Sequence, residues 1–116
     1  KNGFSKANVI LGDLFEKEKI LGLIKKTDSP RAILMLQVLD ALESAHKDYS
    51  KDLLLGIKLL MNKDDVVIVT MPMKSISGRK SFEAGRKWLR DFISNNFNLV
   101  DEFILGNERV FRFRKY

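Results

Sequence analysis

Two short runs without one polar side chain constrain this chain more than any other feature. They are Ala32-Ile33-Leu34-Met35-Leu36 and Val66-Val67-Ile68-Val69. A continuous apolar run of this length fits a strand buried on both faces, as in a parallel sheet. The residues between them read as helical. One helix is predicted to begin near Val38 or Leu39. A second is predicted from Ser50, a good N-cap residue, and carries Leu53, Leu54, Ile57, Leu60 and Met61. That stretch is long enough for a crossover, so the two strands are expected to run parallel.

The flanking segments extend the alternation. Val9-Ile10-Leu11, closed by Gly12-Asp13, reads as a strand end. Glu16 to Lys26 reads as a helix with Ile20, Leu21, Leu23 and Ile24 on its apolar side and Lys25-Lys26 suited to its C-terminus. Thr27-Asp28-Ser29-Pro30 is a loop. A helix is predicted from about Phe82 to Asn95, with Phe82, Gly85, Leu89, Phe92 and Ile93 facing inward. The chain then changes character: Leu99 to Leu105 and Glu108 to Tyr116 are strand-like and joined by Gly106-Asn107, a hairpin signal. In the last strand Phe111 and Phe113 alternate with Arg112 and Arg114, which predicts one packed face and one basic face. The 116 residues therefore read as a single α/β domain, with a mainly parallel sheet that ends in an antiparallel hairpin.

Charge narrows the partners. The formal net charge is +6, and Lys74, Arg79, Lys80, Arg86, Lys87 and Arg90 stand against one acid, Glu83, directly after the second strand. Such a balance favours an anionic partner; the alternative is a solvated Lys-rich face. The absence of cysteine excludes disulfides, thiolate metal sites and a Cys nucleophile, and fits a reducing, cytoplasmic setting. No metal site is expected, because His46 is the one histidine and follows a polar helix. No uninterrupted apolar run approaches the length of a membrane span, so no membrane partner is expected.

The segment "VTMPMKSISGRKSFEAGRKWL" is similar to the "sFPtkSLgGR" segment of the aminoglycoside-resistance methyltransferases that modify guanine N7 in small-subunit (16S) ribosomal RNA. The tail "LVDEFILGNERVFRFRKY" resembles that family's closing hairpin, and "AILMLQVLDALE" resembles a strand written roughly "ALLLKLLPCLE". The resemblance runs from about Asn8 to Tyr116. It implies the C-terminal part of a Rossmann-like methyltransferase fold, beginning near the third strand of a seven-stranded sheet. The family's N-terminal RNA-binding domain, first strands and Gly-rich cofactor turn have no counterpart here; the seven glycines never fall as Gly-x-Gly. Gln37 stands where the family often has Lys and Asp40 where it has Pro, and the spacing from Lys74 to Glu83 is one residue shorter.

The resemblance implies S-adenosylmethionine as cofactor. It places Asp13, with Leu14 beside it, near the cofactor's adenine; the residues alone equally read Asp13 as a helix N-cap. Gln37 and Leu39 end the next strand, where open α/β sheets bind ligands, and Gln37 is expected to touch the cofactor's methionine part or the target base. Lys74, Ser75, Arg79, Lys80 and Arg86 are the expected RNA-binding residues, since Lys and Arg hold phosphates and Arg bonds guanine bidentately. A solvated basic loop and a charged helix face, with Glu83 paired to Lys87, are the alternatives. Trp88 reads as packing, and Arg112 and Arg114 as solvated. The expected function is an S-adenosylmethionine-dependent RNA methyltransferase acting on ribosomal RNA. The alternatives are a non-catalytic nucleic-acid-binding α/β module or a methyltransferase-fold protein with a non-RNA substrate. Without a neighbouring first strand, Ala32–Leu36 would present an apolar edge. It is then expected to dimerise, repack or join the missing N-terminal half.

Overall fold

The computed structural model describes residues 11–72 and 83–116, with backbone alone for residue 40 and for 83–86. Helix α1 (Lys17–Lys25) leads into strand β1 (Ala32–Leu36), helices α2 (Leu39–Ala45) and α3 (Tyr49–Leu60), and strand β2 (Val66–Pro72). Helix α4 (Glu83–Asn96) and the hairpin β3 (Asn98–Leu105) and β4 (Glu108–Arg114) follow. Among the described residues four strands lie in the order β1-β2-β4-β3. β1 and β2 are parallel, in register from Ala32↔Val66 to Leu36↔Thr70. β4 is antiparallel to both β2 and β3, so the hairpin inserts its second strand next to the parallel pair. Gly106 takes φ +62 in the turn between them, a conformation a side chain would resist.

Helices pack on one face of the sheet. Val67, Val69 and Met71 of β2 and Phe111 and Phe113 of β4 form a buried cluster with Leu53, Leu54 and Ile57 of α3 and Leu89 and Ile93 of α4. The expected alternation in β4 holds: both phenylalanines are fully buried, and Arg112 and Arg114 are half-buried. Trp88 packs against the same cluster, with the Lys51 ammonium 5.6 Å from its ring centre.

Two local expectations differ. β1 was expected to be buried on both faces, but of its five residues only Met35 is buried. Among the described residues β1 lies at the sheet edge, and on the face away from the helices Leu34 and Leu36 are 59% and 57% exposed. Ser50 is not an N-cap. α3 starts one residue earlier behind Asp48, and the buried Ser50 hydroxyl donates to Glu43 Oε1. Glu43 Oε2 accepts the Asp48 N–H at 2.6 Å, so one carboxylate organises the α2–α3 corner. The expected strand end at Val9-Ile10 lies outside the described residues; Leu11 itself is 95% exposed and in no regular element.

The amino ends of β1 and β2 are locked by Asp65, which is fully buried. Its carboxylate accepts the Ser29 hydroxyl and the Arg31 and Asn62 N–H groups, each at 2.8 Å. Arg31 Nε and Nη2 both reach Oδ2, at 3.1 and 2.8 Å. The same guanidinium donates to Ile24 O at the end of α1 and to Leu60 O at the end of α3. One ion pair thus gathers four chain segments.

Burial alone would raise the Asp65 carboxyl. The hydrogen bonds from Asn62, Arg31 and Ser29 outweigh it and hold the group well below the usual carboxylate range. A depressed folded value contributes stability above the unfolded value, near pH 4, and that contribution is lost as pH falls toward the folded value. Asp65→Ala leaves Arg31 buried and uncompensated, so it is expected to cost about 3–5 kcal/mol in urea unfolding at pH 7 and to remove much of the acid sensitivity. Asp101→Asn, at the exposed pair with Arg112, is expected to cost under about 1 kcal/mol.

Candidate cofactor cleft

The carboxyl ends of β1 and β2 lie side by side, because Leu36 pairs with Thr70. After Leu36 the chain turns at Gln37 with φ +58 and enters α2. A non-glycine residue there costs on the order of 1 kcal/mol. The Gln37 N–H points back at β2 and is shared between Thr70 O (3.1 Å) and Thr70 Oγ1 (3.0 Å).

This turn forms one wall of an open cavity of about 520 Å³. Gln37, Val38, Ala41 and Leu42 line that side; Gly12, Asp13, Leu14 and Phe15 line the other. The lining is mainly apolar, with two side-chain polar functions, the Asp13 carboxylate and the Gln37 amide. A mainly apolar cavity with a few polar groups suits a small organic ligand.

The 12–15 wall is held from α2 and α3. Phe15 sits edge-on to exposed His46 (centroids 5.1 Å) and tilted against Tyr49 (5.0 Å). The Tyr49 hydroxyl donates to Leu14 O. Asp13 Oδ1 accepts the Phe15 N–H and Asp13 O accepts the Glu16 N–H, both at 2.9 Å. Asp13 therefore makes a turn ahead of α1, whose N-cap is Glu16.

Of the residues expected at the cofactor, Asp13, Leu14 and Gln37 come together around the cavity. Leu39 does not line it; its side chain is 1% exposed and sits in the core beneath. Of the residues expected at RNA, Lys74, Ser75, Arg79 and Lys80 lie outside the described residues, and Arg86 lies in the first turn of α4. Pro72, where the basic segment begins, ends β2 at the same end of the sheet as Gln37. Lys87 bonds Asp91 at 3.2 Å, and Arg90 bonds Glu102, tying α4 to β3. Phe15, Ala41 and Thr70 were not anticipated. None of the three carries a chemical signal in the sequence beyond its spacing.

Among the described residues no three His, Cys, Asp or Glu side chains converge on a point, and no helix is long and apolar enough to cross a membrane.

Burial, then the charge of Asp13, raises the Tyr49 phenol above its ordinary 10.0. The neutral phenol donates to Leu14 O and the phenolate cannot, so the clamp is complete below about pH 10 and is lost as pH rises through the raised value. Tyr49→Phe is expected to cost about 1 kcal/mol in chemical denaturation and to abolish the late-titrating component of the tyrosinate absorbance near 295 nm.

No protein-family model and no curated protein matches the sequence. Solved structures do. The 16S rRNA methylase ArmA superposes with a TM-score of 0.58 at 19% identity, over 82% of this chain and 45% of that protein. The 16S rRNA methyltransferase RmtF, solved in complex with S-adenosyl-L-homocysteine, superposes with a TM-score of 0.53 at 19% identity, over 81% of this chain and 36% of that protein. The chain has the fold of part of these methyltransferases and spans less than half the length of either.

Proposed function

We propose that this chain is the C-terminal portion of an S-adenosylmethionine-dependent RNA methyltransferase acting on ribosomal RNA in the cytoplasm. The observation that carries the reading is the cleft built by Asp13, Leu14 and Gln37 beyond the carboxyl end of β1, on a fold shared with a protein solved with S-adenosylhomocysteine. Open α/β sheets bind ligands in that position.

The residues fit the cofactor's nucleoside. Leu14, Phe15, Val38 and Leu42 offer apolar surface to a purine ring, and the Asp13 carboxylate can accept from its amino group. Gln37 offers an amide donor and acceptor toward the cofactor's amino-acid end or the target base. The cofactor would supply a methyl group on a sulfonium, already a good leaving group. Where the acceptor is an unprotonated ring nitrogen, the protein's part is alignment and exclusion of water rather than proton transfer, and no acid–base pair is needed. Lys74, Ser75, Arg79, Lys80 and Arg86 are proposed to hold the RNA at the rim where β2 ends.

The domain is proposed to be incomplete. The free edge of β1 and the exposed Leu34 and Leu36 would be covered by an N-terminal half or by a second copy of the chain. Light scattering of the 116-residue chain alone is expected to show self-association; a clean monomer would count against an uncovered β1 edge.

Calorimetric titration with S-adenosylhomocysteine tests the cofactor reading. Asp13→Asn and Phe15→Ala are each expected to weaken binding about ten- to a hundredfold. RNA binding is expected to fall steeply with salt, and Lys74→Ala or Arg79→Ala to reduce the salt slope by about one each. Salt-sensitive RNA binding with no cofactor binding in the full-length protein would instead identify a non-catalytic RNA-binding module.

A further inference from the structure

β2 reads Val-Val-Ile-Val-Thr-Met, and the one hydroxyl in that run, on Thr70, is 6% exposed. Valine has the same shape and would suit a buried strand as well or better. The Thr70 hydroxyl is therefore not explained by packing. Its oxygen lies 3.0 Å from the Gln37 N–H, which already bonds Thr70 O at 3.1 Å. The second acceptor is not needed to satisfy that N–H. What it adds is direction: two acceptors on one residue hold the N–H at the point where Gln37 takes φ +58.

We infer that Thr70 is a positioning residue, whose hydroxyl fixes the Leu36–Gln37 peptide plane from which Gln37 enters its left-handed conformation, and so helps present the Gln37 amide to the cleft. Thr70 does not line the cavity; it acts through Gln37. It stands two residues before Pro72, the last residue of β2. Gln37 is one of two non-glycine residues with positive φ among those described, and such residues persist where their surroundings over-determine them. The inference rests on the cofactor reading for its functional meaning, but its geometric half stands apart from it.

The test uses the full-length protein with Thr70→Val and Thr70→Ser, measured by S-adenosylhomocysteine titration and by the Gln37 HN–Hα coupling and Cα shift in NMR. Thr70→Val is expected to remain folded, to move the Gln37 coupling and Cα shift away from left-handed values, and to weaken S-adenosylhomocysteine about tenfold. Thr70→Ser keeps the acceptor and is expected to keep both readouts. A folded Thr70→Val with an unchanged Gln37 coupling overturns the inference whatever its affinity. A changed coupling with unchanged affinity overturns it equally. If the unsubstituted protein binds no S-adenosylhomocysteine, the cofactor reading fails, and the coupling alone decides whether Thr70 sets Gln37.

Discussion

The parallel pairing of β1 with β2 is the contact on which the rest of the structure depends. It is pinned at both ends by polar atoms, and by different means. At the amino end Asp65 and Arg31 form a buried, fully bonded ion pair that also receives the ends of α1 and α3. At the carboxyl end the Gln37 N–H meets both oxygens of Thr70. Between them the strands hold together through backbone bonds and apolar packing alone. A register slip of one residue would break both polar pins and turn Val67 and Val69 out of the core. The register is thus specified more firmly by its ends than by its middle.

The two ends divide the labour of the fold. The Asp65 end is closed and stabilising: its carboxylate accepts five hydrogen-bond donors that include a charged guanidinium. The Gln37 end is open, carries a strained backbone conformation and adjoins a cavity. Ligand sites in open α/β sheets lie at this end because successive helices and loops splay apart there. The stability needed to hold a strained turn is supplied elsewhere in the molecule, in the buried cluster of Phe111, Phe113, Leu89 and Ile93 and in the ion pair.

Much of this was legible in the sequence because it follows from period and polarity. The parallel pair, the helix after residue 82, the Gly106 turn and the Phe/Arg alternation in β4 each follow from a local pattern that tertiary packing reinforces. What stayed hidden depends on partners distant in the chain. Asp65 and Arg31 are 34 residues apart, and nothing near either announces the pair. Ser50 has the right chemistry for a cap, yet Glu43 claims its hydroxyl. The burial of β1 was misjudged for a related reason: an apolar run records what a strand is suited to contact, not whether the described residues supply the contact. At the cleft, Gln37 was expected at a strand end, and it follows directly on β1 because that end is visible as a change in polarity. Leu39, two residues on, is the first residue of α2, and its side chain is buried in the core.

The two sheet edges argue for how the molecule is completed. β3, the outer strand of the hairpin, has an apolar tip, but it carries Asp101 and Glu102 and an irregularity between Leu99 and Asp101. Charge and irregularity are the means by which natural edge strands discourage further pairing. β1 has neither: its five residues are all apolar, its pairing with β2 is regular, and Leu34 and Leu36 are exposed beside an edge that no described residue pairs. A strand under selection to remain an edge would be expected to carry a lysine or a bulge. Its composition instead suits a strand with a neighbour on each side. The cleft leads to the same place, since Gln37 continues directly from β1 and a parallel strand added beside β1 would end at the same end of the sheet as Gln37. Completing the sheet and completing the cleft would then be one event, and this supports the proposal that β1 is paired in the working protein.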